Sequence, residues 1–470
     1  MHRMHSLCYY ALPMGLTRKD IIQLAVLLTG CLLVVLNYTL LAPALPVIMH
    51  EMAVDETTVQ WLTSIYAMVE AVVIPLNAFL LGRFPVRRLF AGGFVLFAAA
   101  SALAAVAPSF GLLLLARVLQ AIASGVAMPM VWTLALLMTP RENRGTVMGV
   151  MGIVISFAPA IGPPASGAII DAVGWRALFL IVAGIAVFVI VLAVALLENR
   201  DSFERTTFDV PSILLSSAGM LGLLYGLSTC TTSATPLLSV ALMIAGAALL
   251  AVFVRRQGAL EVPMLRVEIL ATRRFLIAVV VCCLMEAALI AVDVLLPLLL
   301  QNSLGQTPTV TGLVMAPAAL AGAVAGIVAG RVFDKRGVRG IAVVGSVLLF
   351  SSAVALCLCD IDASVVFIAI VYMVETIGWQ FISSPCNTWG LNALKNEVIQ
   401  HGNAVLSTLM QVGASFGTAA LVSLTAFGPL AAPGGDAAAV TFAGYHVAFI
   451  GVAVVVGVVA AVVVAFVKGR

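Results

Sequence analysis

The chain has 470 residues, of which 63% are hydrophobic and only 10% charged. Soluble domains carry about a quarter of their residues charged and need them to cover the surface, so a soluble globular chain is excluded. Disorder is excluded too, because disordered chains are polar and charge-rich. The mean hydropathy of +1.17 points to a polytopic membrane protein. A net charge of +3 offers no basis for nucleic-acid binding.

The first twenty residues, Met1 to Asp20, are a short tail carrying Arg3, Arg18 and Lys19 and lacking a signal-cleavage pattern. They read as a cytoplasmic N-terminus. Apolar runs of spanning length follow at 21–45, 58–81, 88–107, 110–138, 146–170, 177–197, 211–229, 236–254, 274–300, 309–330, 340–359, 363–388, 403–427 and 441–467, fourteen in all. Only helices fit, because lipid leaves an open strand's backbone unsatisfied. A short Ser-, Thr- and Pro-rich link, Ser228 to Pro236, splits the seventh and eighth runs into two helices. The expected division is a tail over 1–20, a six-helix bundle over 21–200, an inserted two-helix segment over 201–272 and a second six-helix bundle over 273–470.

The basic residues test this map independently. With the N-terminus inside, 22 of the 24 Lys and Arg residues fall on the cytoplasmic side, the exceptions being Arg176 outside and Arg117 within the fourth span. That asymmetry is the positive-inside pattern. A missed helix would invert every later loop, so count and orientation support each other. Most cysteines (Cys31, Cys230, Cys282, Cys283, Cys357, Cys359 and Cys386) lie in apolar runs without metal or redox spacing. No cofactor or metal is expected. The absence of a phosphate-binding loop argues against an ATP-driven pump.

The chain repeats weakly. The basic turn Leu81-Gly-Arg-Phe-Pro-Val-Arg-Arg88 has a counterpart in Gly330-Arg-Val-Phe-Asp-Lys-Arg-Gly337, and Gly152 to Phe157 in span five resembles Gly413 to Phe416 in span thirteen. Internal duplication is characteristic of transporters, with the substrate path near the repeat interface.

Further segments carry a family likeness. They are Leu36 to Ile48 in span one, Val59 to Tyr66 opening span two, Arg117-Val-Leu-Gln120 with Gly125 in span four, and Ser156-Phe-Ala-Pro-Ala-Ile-Gly-Pro163 with Ser166-Gly167 in span five. Trp175-Arg176, Leu296 to Gln301, the Gly330 to Gly337 turn, and Leu391 to Leu394 through His401-Gly402 complete the set. Together they resemble the major facilitator superfamily, and within it the fourteen-helix drug:proton antiporters, most closely the lincomycin-resistance type of bacterial multidrug exporter. The resemblance implies an all-α membrane protein with the major facilitator fold: 14 transmembrane helices in two six-helix bundles plus an inserted pair. It implies a proton-coupled antiporter, not an enzyme, exporting hydrophobic or cationic amphipathic drugs by alternating access. The same fold would equally serve an exporter of a lipid, peptide or metabolite, and a non-transporting sensor is the rival of a different class. The implied setting is a bacterial inner membrane, both termini cytoplasmic, with a small-molecule substrate, protons and lipid as partners and a monomeric state. Two departures stand out: span one has Asn37 where related exporters often carry Asp, and the first basic turn has Gly82 near the place of the usual Asp, whereas the second turn keeps Asp334.

The candidate gating residues follow from small-residue and proline chemistry. Gly152, Gly162 and Gly167 allow close helix approach, and Pro159 and Pro163 remove backbone donors and bend the helix. The basic turns add Arg83, Gly330, Asp334 and Arg336, able to bridge helix ends, although topology alone also places cations there. Few ionisable groups lie well inside the spans: Glu70, Arg117, Glu286, Asp293 and Glu375. Each costs on the order of 3 kcal/mol at the bilayer centre on an insertion scale, so each is a candidate for proton coupling. Glu286 and Asp293 are seven residues apart, on one helical stripe about 10 Å long. For Arg117 the resemblance implies a role in proton-coupled exchange. Polar groups in apolar runs (Asn37, Gln120, Gln380, Asn387 and Gln411) and the possible wall residues Tyr66, Met128, Trp132, Phe157 and Trp379 are the substrate-binding candidates. For each of these, interhelical bonding or plain packing is the competing reading.

Overall fold

The computed structural model describes residues 17–76, 80–81, 83–138, 158, 161–198, 209–229, 236–260, 267–360, 363–395, 398–434 and 436–467. Among them the regular structure is helical throughout. In chain order the long helices are α1 (Arg18–Thr39), α2 (Trp61–Val73), α3 (Val86–Ala105), α4 (Phe110–Met138), α5 (161–173), α6 (Arg176–Leu196), α7 (Val210–Thr229), α8 (Pro236–Ala259), α9 (Arg273–Leu298), α10 (Pro308–Arg336), α11 (Val338–Cys357), α12 (Val365–Leu391), α13 (Ile399–Val422) and α14 (Ala437–Phe466). Short helices Leu45–Glu51 and Glu56–Val59 lie between α1 and α2. Eleven helices are long and apolar enough to cross a membrane among the described residues. The expected spans at 58–81 and 146–170 include undescribed residues, and the apolar stretch Pro211–Leu223 in α7 is shorter than a span.

The ends are set by local chemistry. Thr17 and Asp20 form a reciprocal capping box at α1, and Asp55, Thr307, Ser364 and Asp436 each accept a backbone N–H at the start of a helix. Gly337, at φ 78°, reverses the chain between α10 and α11, a conformation that costs an L side chain strain but not glycine.

Helices α1, α2, α3, α4 and α6 pack on one another, as do α9 to α14. α7 and α8 form a tight pair in which Gly219, Gly222 and Gly226 of one face Leu250, Gly246 and Met243 of the other. α7 also touches both α2 and α13. Among the described residues the first-half helices (α1–α6) meet the second-half helices (α9–α14) where α2 lies along α13 and α5 crosses α10, and the short helix Leu45–Glu51 also packs on α9. At that crossing Gly167 faces the backbone of Pro308 and Thr309, while Gly312 faces the backbone of Pro163 and Pro164. Each glycine admits the other helix's main chain, so the approach is reciprocal.

The end of the molecule away from the basic turns is tied shut across the halves. Gln301 donates to the Pro43 carbonyl at 3.0 Å, His50 meets Asn302 at 3.1 Å, and Asn302 donates to the Tyr445 hydroxyl at 3.1 Å. Tyr445 in turn donates to Glu56. Asp171, near the end of α5, accepts the Thr309 N–H at 3.0 Å in the first turn of α10, where a carboxylate also suits the helix dipole. Glu51 anchors this region to α6 through Trp175 at 2.5 Å and through Arg176.

Gly312→Leu should destabilise the closed arrangement by about 1–3 kcal/mol through overpacking, read as a lower thermal midpoint in detergent. Gly330→Leu, where an added Cβ meets nothing within 4 Å, should leave that midpoint unchanged. Burial pushes the Glu56 carboxyl up, against the lowering effect of its bond from Tyr445. The folded state therefore holds this proton more tightly than the unfolded chain. Its stabilising contribution is fully present below the ordinary carboxylate range and is lost as pH rises through the raised value. The thermal midpoint should carry that pH dependence, and Glu56→Gln should flatten it.

Candidate functional site

A cavity of about 310 Å³ lies between the halves. α1 contributes Tyr38 and Thr39, α9 contributes Ile290 and Asp293, α10 contributes Met315 and Gly322, and α12 contributes Tyr372, Thr376, Trp379 and Gln380. Pro163 reaches it from α5. The wall is mostly apolar, and among the described residues Asp293 is the one lining residue with a formal charge. An apolar chamber with few convergent polar groups is the usual form of a small-molecule site.

The four α12 residues share a face because 372, 376, 379 and 380 follow helical spacing. Tyr372 donates its hydroxyl proton to Asp293 at 2.5 Å, so one face of α12 both lines the cavity and holds its carboxylate. Trp379 presents an indole N–H without a partner. Glu375, one turn beyond Tyr372, is buried with one carboxyl oxygen unpartnered and lies within Coulombic range of Asp293. Glu286, two turns back along α9, likewise has an unpartnered buried oxygen and feels Asp293. Of these three second-half carboxyl groups Asp293 lines the cavity, while Glu286 and Glu375 lie outside its lining within Coulombic range of Asp293.

A second polar centre sits in the first half. Arg117 is fully buried; it donates to the Leu62 carbonyl at 3.2 Å and to Gln120 at 2.8 Å, and its guanidinium stacks 4.3 Å from the centre of the Tyr66 ring. Gln120 passes the chain on to Ser101 at 2.8 Å and accepts from Asn37 at 3.5 Å. Glu70 accepts from Ser124 on α4 and from Gln411 on α13, the latter at 3.1 Å. Tyr38 links the two centres. Its ring lies 5.8 Å from that of Tyr66, and it is within Coulombic range of Asp293, Glu286, Glu70 and Arg117.

Of the candidates read from sequence, Asp293, Trp379, Gln380 and Pro163 line the cavity. Asn37, Tyr66 and Gln120 belong to the Arg117 network, and Gln411 to Glu70. Met128 and Trp132 pack in the first-half core, Met128 against Cys31 at 3.4 Å, outside the cavity lining. Asn387 is half-buried and also outside it. Gly162 lies against Thr39. Arg83 and Arg336 are exposed, and no ion pair joins either of them among the described residues. Gly152, Phe157 and Pro159 fall outside the described residues, as does the side chain of Asp334. Sequence reading missed Tyr38 and Tyr372. The second was detectable, being three and seven residues before Glu375 and Trp379 on one helical stripe.

The sequence matches the Major Facilitator Superfamily model over residues 27–418. The chain belongs to the major facilitator superfamily. Members of this family are membrane transporters and not enzymes. Relatives include the uncharacterized MFS-type transporter YcnB of Bacillus subtilis, 38% identical over 85% of each chain. The lincomycin resistance protein LmrB of the same organism is 32% identical over 87% of this chain and 85% of its own. A multidrug resistance protein B homolog of Mycobacterium tuberculosis is 28% identical over 79% and 70%. The fold is shared with a POT family transporter solved with a thioalcohol-conjugated peptide, at TM-score 0.72 and 15% identity, over 96% of both chains. A bacterial homolog of the lysosomal transporter Spinster matches at TM-score 0.66 and 13% identity, over 95% and 96%. This superfamily member is therefore a multi-pass transporter whose cavity lies where its two halves meet.

Gln120→Leu removes the acceptor facing Arg117 and should cost about 1–3 kcal/mol of stability. Met128→Leu, a volume-conserving change in the core, should cost less than about 1.5 kcal/mol. Paired thermal unfolding of the two variants checks the order.

Proposed function

We propose that this transporter is a proton-coupled antiporter that exports hydrophobic or cationic amphipathic compounds by alternating access. The observation that carries the reading is the lone charged residue of the cavity wall, Asp293, with Glu286 on the same stripe of α9. The names of its lincomycin- and multidrug-resistance relatives favour drug-like cargo over a dedicated metabolite. In this reading the chain crosses a bacterial inner membrane fourteen times as a monomer, with both termini cytoplasmic. Bundles over 21–200 and 273–470 flank the inserted segment 201–272.

The chemistry is competition for a carboxylate. Ionised Asp293 attracts a cation in an apolar chamber, where the attraction is stronger than in water. A proton arriving from the outer side neutralises Asp293 and removes that attraction, so the cargo leaves. Release of the proton to the cytoplasm restores the site. Proton and cargo each lower the other's affinity, which is the linkage an antiporter requires. Tyr372 donates to Asp293 and so holds the carboxyl group in place on the cavity wall.

Purified protein in proteoliposomes with an imposed pH gradient tests this with a panel of cationic, neutral and anionic compounds. Gradient-driven movement of cationic or hydrophobic compounds is the expected result, reduced at least about tenfold by Asp293→Asn or Glu286→Gln. Absence of any gradient-driven movement would refute antiport, and intact pH-driven transport in both variants would refute the coupling assignment.

A further inference from the structure

Glu70 does not line the cavity, although it is buried at mid-depth beside it. Both of its carboxyl oxygens are engaged, Oε1 by the Ser124 hydroxyl and Oε2 by the Gln411 amide at 3.1 Å. Ser124 is on α4 in the first half and Gln411 on α13 in the second, so this carboxyl group bridges the two halves. Its position differs from that of the other cross-half bonds. Gln301–Pro43, His50–Asn302, Tyr445–Glu56 and Thr309–Asp171 all lie at the sealed end. Glu70 is nine residues along α2 from Trp61, about 14 Å deeper.

The surroundings suit a contact that must form and break as one unit. One turn nearer the sealed end, Ala67 and Ala414 pack with Ile290 and Tyr38 as a small apolar patch between α2 and α13. Small side chains let these helices lie close, and an apolar patch gives little orientation by itself. The directional bond is the one from Gln411 to Glu70. The charged and titratable groups in reach are Arg117 on α4, Tyr66 on α2 and Tyr38 on α1.

We propose that Glu70 is a positioning residue, a mid-membrane latch that holds α2 to α13 while the far end is sealed, and not a proton carrier. The proposal rests on the alternating-access reading above. The chemistry separates the two roles. A primary amide both donates and accepts, so Gln411 can bond an ionised carboxylate, a protonated carboxyl or another amide. A latch therefore survives loss of titration at position 70, whereas a proton carrier does not. A latch is lost when Gln411 is made apolar, whereas a proton carrier keeps its carboxyl group.

The test uses the full chain in lipid nanodiscs with its eight cysteines replaced and spin labels at Val173 and Leu358. These exposed positions, 69% and 78% accessible, flank the sealed end from opposite halves. Gln411→Leu and Glu70→Ala should each raise the ratio of the long-distance to the short-distance population about tenfold or more, as leaving a buried polar partner unsatisfied implies. Glu70→Gln should leave both that ratio and gradient-driven transport in proteoliposomes unchanged. Loss of pH-driven transport in Glu70→Gln, or an unaltered distance distribution in Gln411→Leu, overturns the latch. If the unsubstituted protein moves no compound, the proposed function fails, and the distances alone still decide the latch.

Discussion

Hydrocarbon offers no hydrogen bonds, and that single constraint shapes every level of this molecule. Backbone groups must be satisfied within each segment, which leaves helices as the building unit. Helices in lipid gain little from burying apolar surface against one another, so contact between the halves depends on close backbone approach and on directional polar bonds. The reciprocal seating of Gly167 and Gly312 supplies the first, and the row from Gln301 to Asp171 supplies the second. The same constraint makes each buried ionisable group expensive. A chain with so few charges concentrates them where work can be done.

Neither polar centre meets this cost in full. Arg117 is set among neutral partners, a carbonyl, an amide and an aromatic face, with one guanidinium nitrogen left unpartnered. The second-half carboxyl groups are incompletely satisfied as well. Glu286 and Glu375 each leave an oxygen unpartnered, and Asp293 has Tyr372 on one side and the cavity on the other. What separates Arg117 from Asp293 is therefore place and not saturation: Asp293 lines the cavity, whereas Arg117 does not.

The halves are also not joined evenly. The sealed end has a dense set of bonds whose partners lie on loops and helix ends, while the mid-depth contact of α2 with α13 rests on small side chains and the Glu70–Gln411 bond. The α7–α8 pair adds a third element, because α7 touches both α2 and α13. Trp61 of α2 stacks on Tyr225 of α7 at 5.8 Å, which ties the pair's position to the first-half helix that carries the latch.

Much of this was legible beforehand. Apolar length and the sign of loop charge are properties of one dimension, so the all-helical class and the multi-pass membrane setting could be read directly from the chain. That Asp293 would sit in an apolar helix was legible too, and the structure places it on the cavity wall. Orientation about each helix axis was not. Met128 and Trp132 sit in apolar runs like Trp379, yet they face the first-half core while Trp379 faces the cavity. Nor could spacing disclose partners brought together from far along the chain. Gln411 and Glu70 are separated by 341 positions and Asn302 and His50 by 252. The sequence alone determined what crosses the membrane and which charges are too costly to be idle, because hydrophobic length and desolvation act locally. Tertiary structure decided which of those charges lines the cavity, which is held in a network of neutral partners and which joins the halves, because those outcomes depend on the rotation and contact of distant helices.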